Sequence, residues 1–315
     1  MLLLKYLKFY IFKLFIIILF ISNLFVTLKI KKRIECGIPP LSNFSKFDYL
    51  MPETHRLVGS LKTDPHEWPW TCQLVAVKSE NKLKNTTIIV HKCGCALIDK
   101  EFIVTAAHCF AKSRLSNRYK VLLGGHAIYS GLPHNVVTIS IHPLYQIVHS
   151  AYDVALLKIS PKAIFNESIW PICLPTTPPK NNVMCVVTGW GRLKEGGERS
   201  LTLREIHVPI ISTITCNDFR HYSGRMHPTS MICAGFNNGQ IDACQGDSGG
   251  PLQCQNTKGV WELQGLVSWG IGCAQPKFPG VYAKIFVMKT WIGTEMNKLR
   301  LKEKKLRNNK ILLKK

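Results

Sequence analysis

Three polar residues in distinctive settings offer the most chemistry in this chain: His108 within TAAHC, Asp153 within YDVALL and Ser248 within GDSGGP, in that order. A serine hydroxyl is a weak nucleophile at neutral pH and needs a base to take its proton during attack. Imidazole suits that task because its ordinary pKa lies near 6.5. An aspartate can hold the imidazole in one tautomer and stabilise the imidazolium that forms. The glycines around Ser248 let a developing oxyanion reach backbone N–H groups unobstructed, with Gly246 and Ser248 as the candidate donors. Taken singly, each residue also has a plain structural reading: a glycine turn, a structural histidine beside a cysteine, an aspartate at a strand start. Their coincidence in one cysteine-rich chain points to nucleophilic acyl transfer.

The elements that must position these groups read as strands. Between Leu57 and Ile285 the apolar runs are short and β-branched, among them IIV from Ile88, YKVLLG from Tyr119, VVTISI from Val136, VALLKI from Val154, VMCVVTGW from Val183 and VWELQGLVSW from Val260. Gly, Pro and Asn clusters separate them. This pattern predicts an all-β barrel or sandwich architecture, with one amphipathic helix at Phe286 to Met296 and no internal repeat.

Twelve cysteines, scattered without tandem metal-ligand pairs, point to disulfides made in an oxidising compartment. The net charge of +22 is concentrated at the ends: seven Lys/Arg and no acid in residues 1–33, nine Lys/Arg and one acid in residues 297–315. The body carries only a modest excess and no aromatic-basic stripe, so nucleic-acid binding is not expected. From Leu14 to Leu28 the chain is uncharged, and with Lys13 snorkelling the apolar stretch reaches back to Phe9, about twenty residues. This reads as a signal anchor in preference to a cleaved signal peptide. An oxidised body lies on the outer face, and sequons at Asn43, Asn85 and Asn166 are compatible with glycosylation there. The basic tail reads as a solvated, frayed helix end in preference to a lipid-docking or polysaccharide-docking segment.

The chain resembles the trypsin/chymotrypsin family of serine proteases over roughly Leu57 to Met296. The resemblance rests on WPW at Trp68, CGCALI at Cys93, TAAHC, DVALL, PICLP at Pro171, TGWG at Thr188, MICAG at Met231, DACQGDSGGPL at Asp242, SWG at Ser268 and PGVY at Pro279. It implies two six-stranded antiparallel β-barrels, with the reacting groups in the cleft between them and a C-terminal helix outside. It also implies a zymogen cut after Arg56, whose new terminus at Leu57 moves inside to pair with Asp247. Leu57 and Ser60 stand where the family usually has Ile and Gly.

The same resemblance implies disulfides Cys93–Cys109, Cys185–Cys254, Cys216–Cys233, Cys244–Cys273 and, from the prosegment, Cys36–Cys173. Cys72 and Cys95 are left over, on the two strands of one expected hairpin, where a sixth bridge fits. The substrate pocket would be formed by Asp242, Ala243, Gln245, Ser268, Trp269, Gly270 and Gly280. Asp242 would be its floor and would favour cleavage after Arg or Lys.

The resulting organisation is an anchor in residues 1–33, a prosegment in 34–56, a peptidase domain in 57–296 and a basic tail in 297–315. Expected partners are protein or peptide substrates, an activating trypsin-like protease, protein protease inhibitors, and a membrane through the N-terminal segment. The body lies outside the cell on a type II single-pass anchor, or is secreted if the segment is cleaved. No cofactor or metal is expected. The loop from Gly124 to Val137, where related trypsins hold calcium, contains neither Asp nor Glu. The alternative to an endopeptidase is a catalytically silent homologue that uses the same barrels to bind.

Overall fold

A computed structural model describes residues 35–40, 60–81, 86–239 and 242–312. The apolar N-terminal segment, Arg56, Leu57, Asn43 and Asn85 lie outside the described residues. Among those described, no helix is long and apolar enough to cross a membrane.

Thirteen strands account for most of the fold. They are β1 (Leu61–Lys62), β2 (Thr71–Asn81), β3 (Thr86–Asp99), β4 (Phe102–Thr105), β5 (Tyr119–Leu123), β6 (Leu132–Ile141), β7 (Ala155–Ser160), β8 (Met184–Gly189), β9 (Arg204–Ile211), β10 (Met231–Ala234), β11 (Pro251–Gln255), β12 (Trp261–Trp269) and β13 (Gly280–Lys284). Strands β2 to β7 close into one barrel in the order β2-β3-β4-β7-β6-β5. Strands β8 to β13 form a second closed ring, β8-β9-β10-β13-β12-β11, because β8 pairs with both β9 and β11. Every pairing is antiparallel, and short β1 is an extra edge strand on β9. Closure leaves few unpaired edges through which strands could pair with another chain.

Each barrel is filled by the inward residues of its strands. Leu74, Leu97, Ile103, Val121, Leu123 and Leu156 are fully or almost fully buried in the first; Val208, Leu252 and Tyr282 in the second. Between the barrels Trp68 meets Trp261 edge-to-face with ring centroids 4.8 Å apart, and Trp70 donates through Nε1 to Gln253 Oε1. Two buried hydroxyls, Thr71 Oγ1 and Thr188 Oγ1, bond across the seam at 2.7 Å. These bonds pair polar atoms of both barrels across the seam, although Gln253 Nε2 has no partner among the described residues, and the aromatics supply the packing.

A one-turn helix α1 (Thr213–Cys216) precedes β10, and the long helix α2 (Ile285–Leu312) ends the described chain. Ile285, Met288 and Ile292 are fully buried beneath α2. The helix does not stop at Met296 as the apolar periodicity predicts. It runs on through the basic segment to Leu312, and most positions beyond Arg300 are exposed, as in a solvated helix end. Leu299 remains mostly buried, Arg300 Nη2 pairs with Asp99 Oδ2 at 2.8 Å, and Lys158 on β7 is ion-paired with Glu303. No Gly or Pro interrupts residues 294–312, so intrinsic propensity and these pairs carry the helix outward.

Six disulfides join all the described cysteines: Cys36–Cys173, Cys72–Cys95, Cys93–Cys109, Cys185–Cys254, Cys216–Cys233 and Cys244–Cys273. Cys72 and Cys95 are direct cross-strand partners on β2 and β3.

Candidate active site

Two chain segments from different barrels meet at the cleft because glycines let their backbones touch. A Cβ at Gly94 would lie 2.8 Å from Gly250 Cα, and one at Gly249, whose φ is +76°, would collide with Thr105 Oγ1. Gly94 N donates to Ser248 O at 2.8 Å, and Thr105 Oγ1 donates to Gly94 O at 2.8 Å. This clasp sets the loop carrying Ser248 against the end of β4, from which the chain turns directly into a short 3₁₀ helix, Ala107–Phe110, bearing His108.

Asp153 fixes His108 at two points. Its Oδ1 accepts from the His108 backbone N–H at 2.9 Å, and its Oδ2 lies 2.7 Å from Nδ1. Ser268 Oγ also donates to Oδ2, at 2.5 Å. The carboxylate is wholly buried while the imidazole side chain keeps 29% of its surface exposed. A carboxylate beside Nδ1 selects the Nδ1–H tautomer and leaves Nε2 free to take a proton. Among the described residues no hydrogen bond joins Ser248 Oγ to the imidazole; such contacts commonly tighten only when substrate is bound.

The backbone around Ser248 is turned for donation. Gln245 O accepts from Arg192 N at 3.0 Å and Asp247 O from Gly250 N at 2.8 Å. In a trans peptide the N–H points away from its C=O. The next N–H groups, those of Gly246 and Ser248, therefore face away from these bonds, and neither has a partner among the described residues. His91 adds a third restraint: its Nε2 lies 2.8 Å from Gly246 O. Burial, with the charge of Arg199 as a lesser cause, pushes the His91 imidazole down to about 4 against the bond to Gly246. It is therefore neutral at pH 7 and donates through Nε2.

A cavity of about 220 Å³ is lined by Ser248 together with Gln245, Ser268, Trp269, Gly270, Gly280, Tyr282, Asp242 and Ala243. Ser268 contributes backbone to the wall while its hydroxyl serves Asp153. Burial pushes the Asp242 carboxyl up to about 7, opposed by hydrogen bonds from the N–H groups of Ala243 and Ala274. A Cβ at Gly280 would lie 2.6 Å from Asp242 Oδ1 and 2.9 Å from Tyr282 Oη, so glycine is needed to leave the acid reachable. The Tyr282 hydroxyl is buried, without a hydrogen-bond partner among the described residues. A cationic ligand reaching Asp242 would arrive beside that oxygen.

Asp247 lines a second cavity of about 180 Å³ with Ser60, Gly189, Gly191 and Cys273; Asp242, Ala243 and Cys244 line both cavities. Its Oδ1 accepts from Gly191 N at 2.7 Å and its Oδ2 from Cys244 N at 3.1 Å. Burial still raises its carboxyl above the usual range. Arg204 Nε holds Ser60 Oγ at 2.7 Å near this cavity.

Metal binding has little to build on. Among the described residues the group of potential ligands within 4.8 Å of one another is Cys93, His108 and Cys109, and both cysteines are consumed by their mutual disulfide. Sequence reasoning did not single out His91, Arg199, Arg204 or Tyr282. Their roles depend on neighbours distant in sequence, and no local motif marks them.

This arrangement can carry out acyl transfer from a substrate whose side chain enters a pocket lined by a largely desolvated acid. The chain belongs to the trypsin family of serine proteases: the family model described as Trypsin matches residues 57–292. It is 38% identical over 245 residues to transmembrane protease serine 11C of Mus musculus, covering 76% of this chain and 54% of that protein. It is 37% identical over 262 residues to transmembrane protease serine 9 of Rattus norvegicus, covering 82% of this chain and 22% of that protein. The chain thus spans about half the length of the first relative and less than a quarter of the second.

Proposed function

We propose that this chain is an active, membrane-tethered serine endopeptidase that cleaves proteins after arginine and, less well, after lysine, and is made as a zymogen cut after Arg56. The observation that carries the reading is the largely desolvated Asp242 carboxyl lining the same cavity as Ser248, together with the His108–Asp153 pair. In the reaction Ser248 Oγ attacks the scissile carbonyl as His108 Nε2 takes its proton. The N–H groups of Gly246 and Ser248 receive the oxyanion, and His108 then gives the proton to the leaving amine. Water repeats the sequence on the acyl-enzyme. The alternative, a silent binding homologue, has no missing or blocked group in its favour.

Arginine is preferred because its planar fork meets a carboxylate with two bonds, whereas the shorter lysine ammonium needs further oxygens near the floor. Ala243 offers no hydroxyl there.

The activation reading is supported by Ser60, three residues beyond Leu57, lining the same cavity as Asp247. A new amino group reaching that carboxylate would supply the charge that burial withholds. Cleavage would then divide a prosegment, residues 34–56, from a peptidase domain beginning at Leu57. The uncharged run from Leu14 to Leu28 and the transmembrane names of both relatives support an anchor with the peptidase outside. Asn166 is exposed and open to glycosylation on that side.

The test is to cut recombinant protein after Arg56 and assay peptides that vary only in the residue before the scissile bond, on wild type and Ser248→Ala. Turnover after Arg exceeding Lys, and a loss on the order of a millionfold in the serine variant, is expected. Equal rates for all peptides, or full activity in Ser248→Ala, would overturn the proposal.

A further inference from the structure

The C-terminal helix α2 runs to Leu312, well past residue 292, where the match to the trypsin family model ends. Its buried residues Ile285, Met288, Ile292 and Leu299 recur on one face, because each helical position turns by about 100°. The opposite crest carries Asn297, Leu301 and Asn308, all exposed. Between Gly293 and Asn309 the helix holds six Lys/Arg and two acids. Lys298, Lys302 and Lys305, spaced i, i+4, i+7, make a stripe about 10 Å long on one side of that crest. Arg300, Lys304 and Arg307 repeat the spacing on the other side.

Half of these cations are answered by acids. Arg300 pairs with Asp99, Arg307 with Glu303 and Lys298 with Glu295. Lys302, Lys304 and Lys305 are exposed and form no ion pair among the described residues. Lys302 has Lys298 and Lys305 one turn away on either side, and Lys304 has Arg300 and Arg307. A solvated helix is stabilised by opposite charges at these spacings and destabilised by like ones. The surface therefore carries self-repulsion that a row of anions along α2 would relieve, with counterions released as they bind.

Leu301 and Leu306, 60% and 55% exposed, lie about 140° apart around the helix. They form no apolar stripe of the kind that an interfacial helix sinks into lipid. Residues 293–309 include no aromatic side chain on which a nucleic-acid base could stack. The six disulfides fit an oxidising compartment outside the cytosol, where the linear polyanions to be met are sulfated polysaccharides. We infer that residues 293–309 of α2 are a docking surface for a linear sulfated polysaccharide, with sulfates along the two cationic stripes and sugar hydroxyls against Asn297 and Asn308. The inference goes beyond the protease reading and does not depend on it: it assigns the chain a second ligand, held by groups that take no part in the reaction.

The test measures binding of the detergent-solubilised full chain to heparin. Log affinity should fall linearly with log salt between about 0.15 and 0.5 M. At the lower salt, Lys298→Ala/Lys302→Ala/Lys305→Ala should bind about tenfold more weakly. Alanine preserves the helix, so this variant should melt as wild type does. Lys29→Gln/Lys31→Gln/Lys32→Gln removes the same charge from the N-terminal segment and should cost no more than about twofold. Leu301→Pro keeps every charge but breaks the helix between Lys298 and Lys302, and should lose most of the same affinity. Equal losses in the two triple variants, or full affinity in the alanine variant or in Leu301→Pro, would overturn the docking surface, because charge alone would then explain the binding. Duplex DNA bound as tightly as heparin would overturn it in favour of a nucleic acid. So would a preference for phosphatidylserine over phosphatidylcholine vesicles that disappears in the alanine variant while heparin binding persists, this time in favour of a lipid surface.

Discussion

At the scale of single residues, Asp242 has the most measurable consequence. Its carboxyl is held at about 7 chiefly by burial, against an ordinary value of 3.8. The empty pocket is therefore largely protonated below neutrality. A ligand with a fixed positive charge needs the carboxylate, so its binding must expel that proton. For an amidinium ligand with the sterically complementary ring, affinity should rise about tenfold per pH unit up to roughly pH 7 and then level off. Calorimetry in buffers of different ionisation enthalpy should detect the released proton, and Asp242→Asn should remove both effects. Linkage gives the stability a matching sign. A carboxyl raised on folding favours the empty folded state fully below its unfolded value, and that contribution is lost as pH rises through about 7. An affinity unchanged between pH 5.5 and 8.5 would mean that the carboxyl is already charged without ligand.

Among elements, the C-terminal helix is held by charges that its own sequence does not reveal. Glu101, at the turn between β3 and β4, is 6% exposed. It faces Lys162 Nζ at 3.0 Å, Lys158 Nζ at 3.9 Å and Arg300 Nε on α2 at 3.9 Å. Arg300 also lies over the Phe102 ring, with Cζ 5.1 Å from its centroid. Glu101→Gln leaves mostly buried Lys158 with Glu303 as its remaining partner, and should cost about 1–3 kcal/mol of stability without altering turnover. Exposed helix pairs such as Lys298–Glu295 should contribute only tenths of that. Equal melting temperatures for wild type and Glu101→Gln would show that packing at Met288 and Ile292 alone seats the helix. The contrast explains what was legible in the sequence. Strands β5, β7, β8 and β12 lie within short, largely apolar runs bounded by turn residues and could be read directly. In β9, Arg204, Glu205, His207 and Pro209 obscure a strand whose burial alternates only partly. The helix extension was hidden because its partners Asp99, Glu101 and Lys158 belong to strands far away in sequence. His108, Asp153, Ser248 and Asp242 could be read because each sits in a local motif. His91, Arg199 and Tyr282 could not: only the meeting of the two barrels brings His91 to Gly246, and only the folding of the second half brings Tyr282 beside Asp242 and Arg199 beside Gly246.

For the whole molecule, the decisive feature is how the segment before the proposed activation cut is held. Cys36 and Gly37 are both bonded to the peptidase body. Gly37 N donates to Pro171 O at 2.8 Å, and Trp261 N donates to Gly37 O at 3.0 Å. Gly37 has φ +70°, and a Cβ there would strike the Trp261 carbonyl, so the seat accepts glycine alone. Cys36 then closes a covalent bridge to Cys173, a sequence separation of 137. Cleavage after Arg56 would sever the main chain but leave this bridge, so anchor and enzyme should stay together after activation. The two backbone hydrogen bonds alone cannot ensure that, since each contributes only about 1 kcal/mol in net terms. On a non-reducing gel the cut protein should therefore run as one species and separate into two on reduction. In Cys36→Ser/Cys173→Ser, which leaves no unpaired thiol, the same cut should release the peptidase from membranes without reductant. Release of the cut wild type before reduction would show that the bridge does not form in the mature protein. Retention by the double variant would instead show that non-covalent docking of this segment is enough to hold the two pieces together.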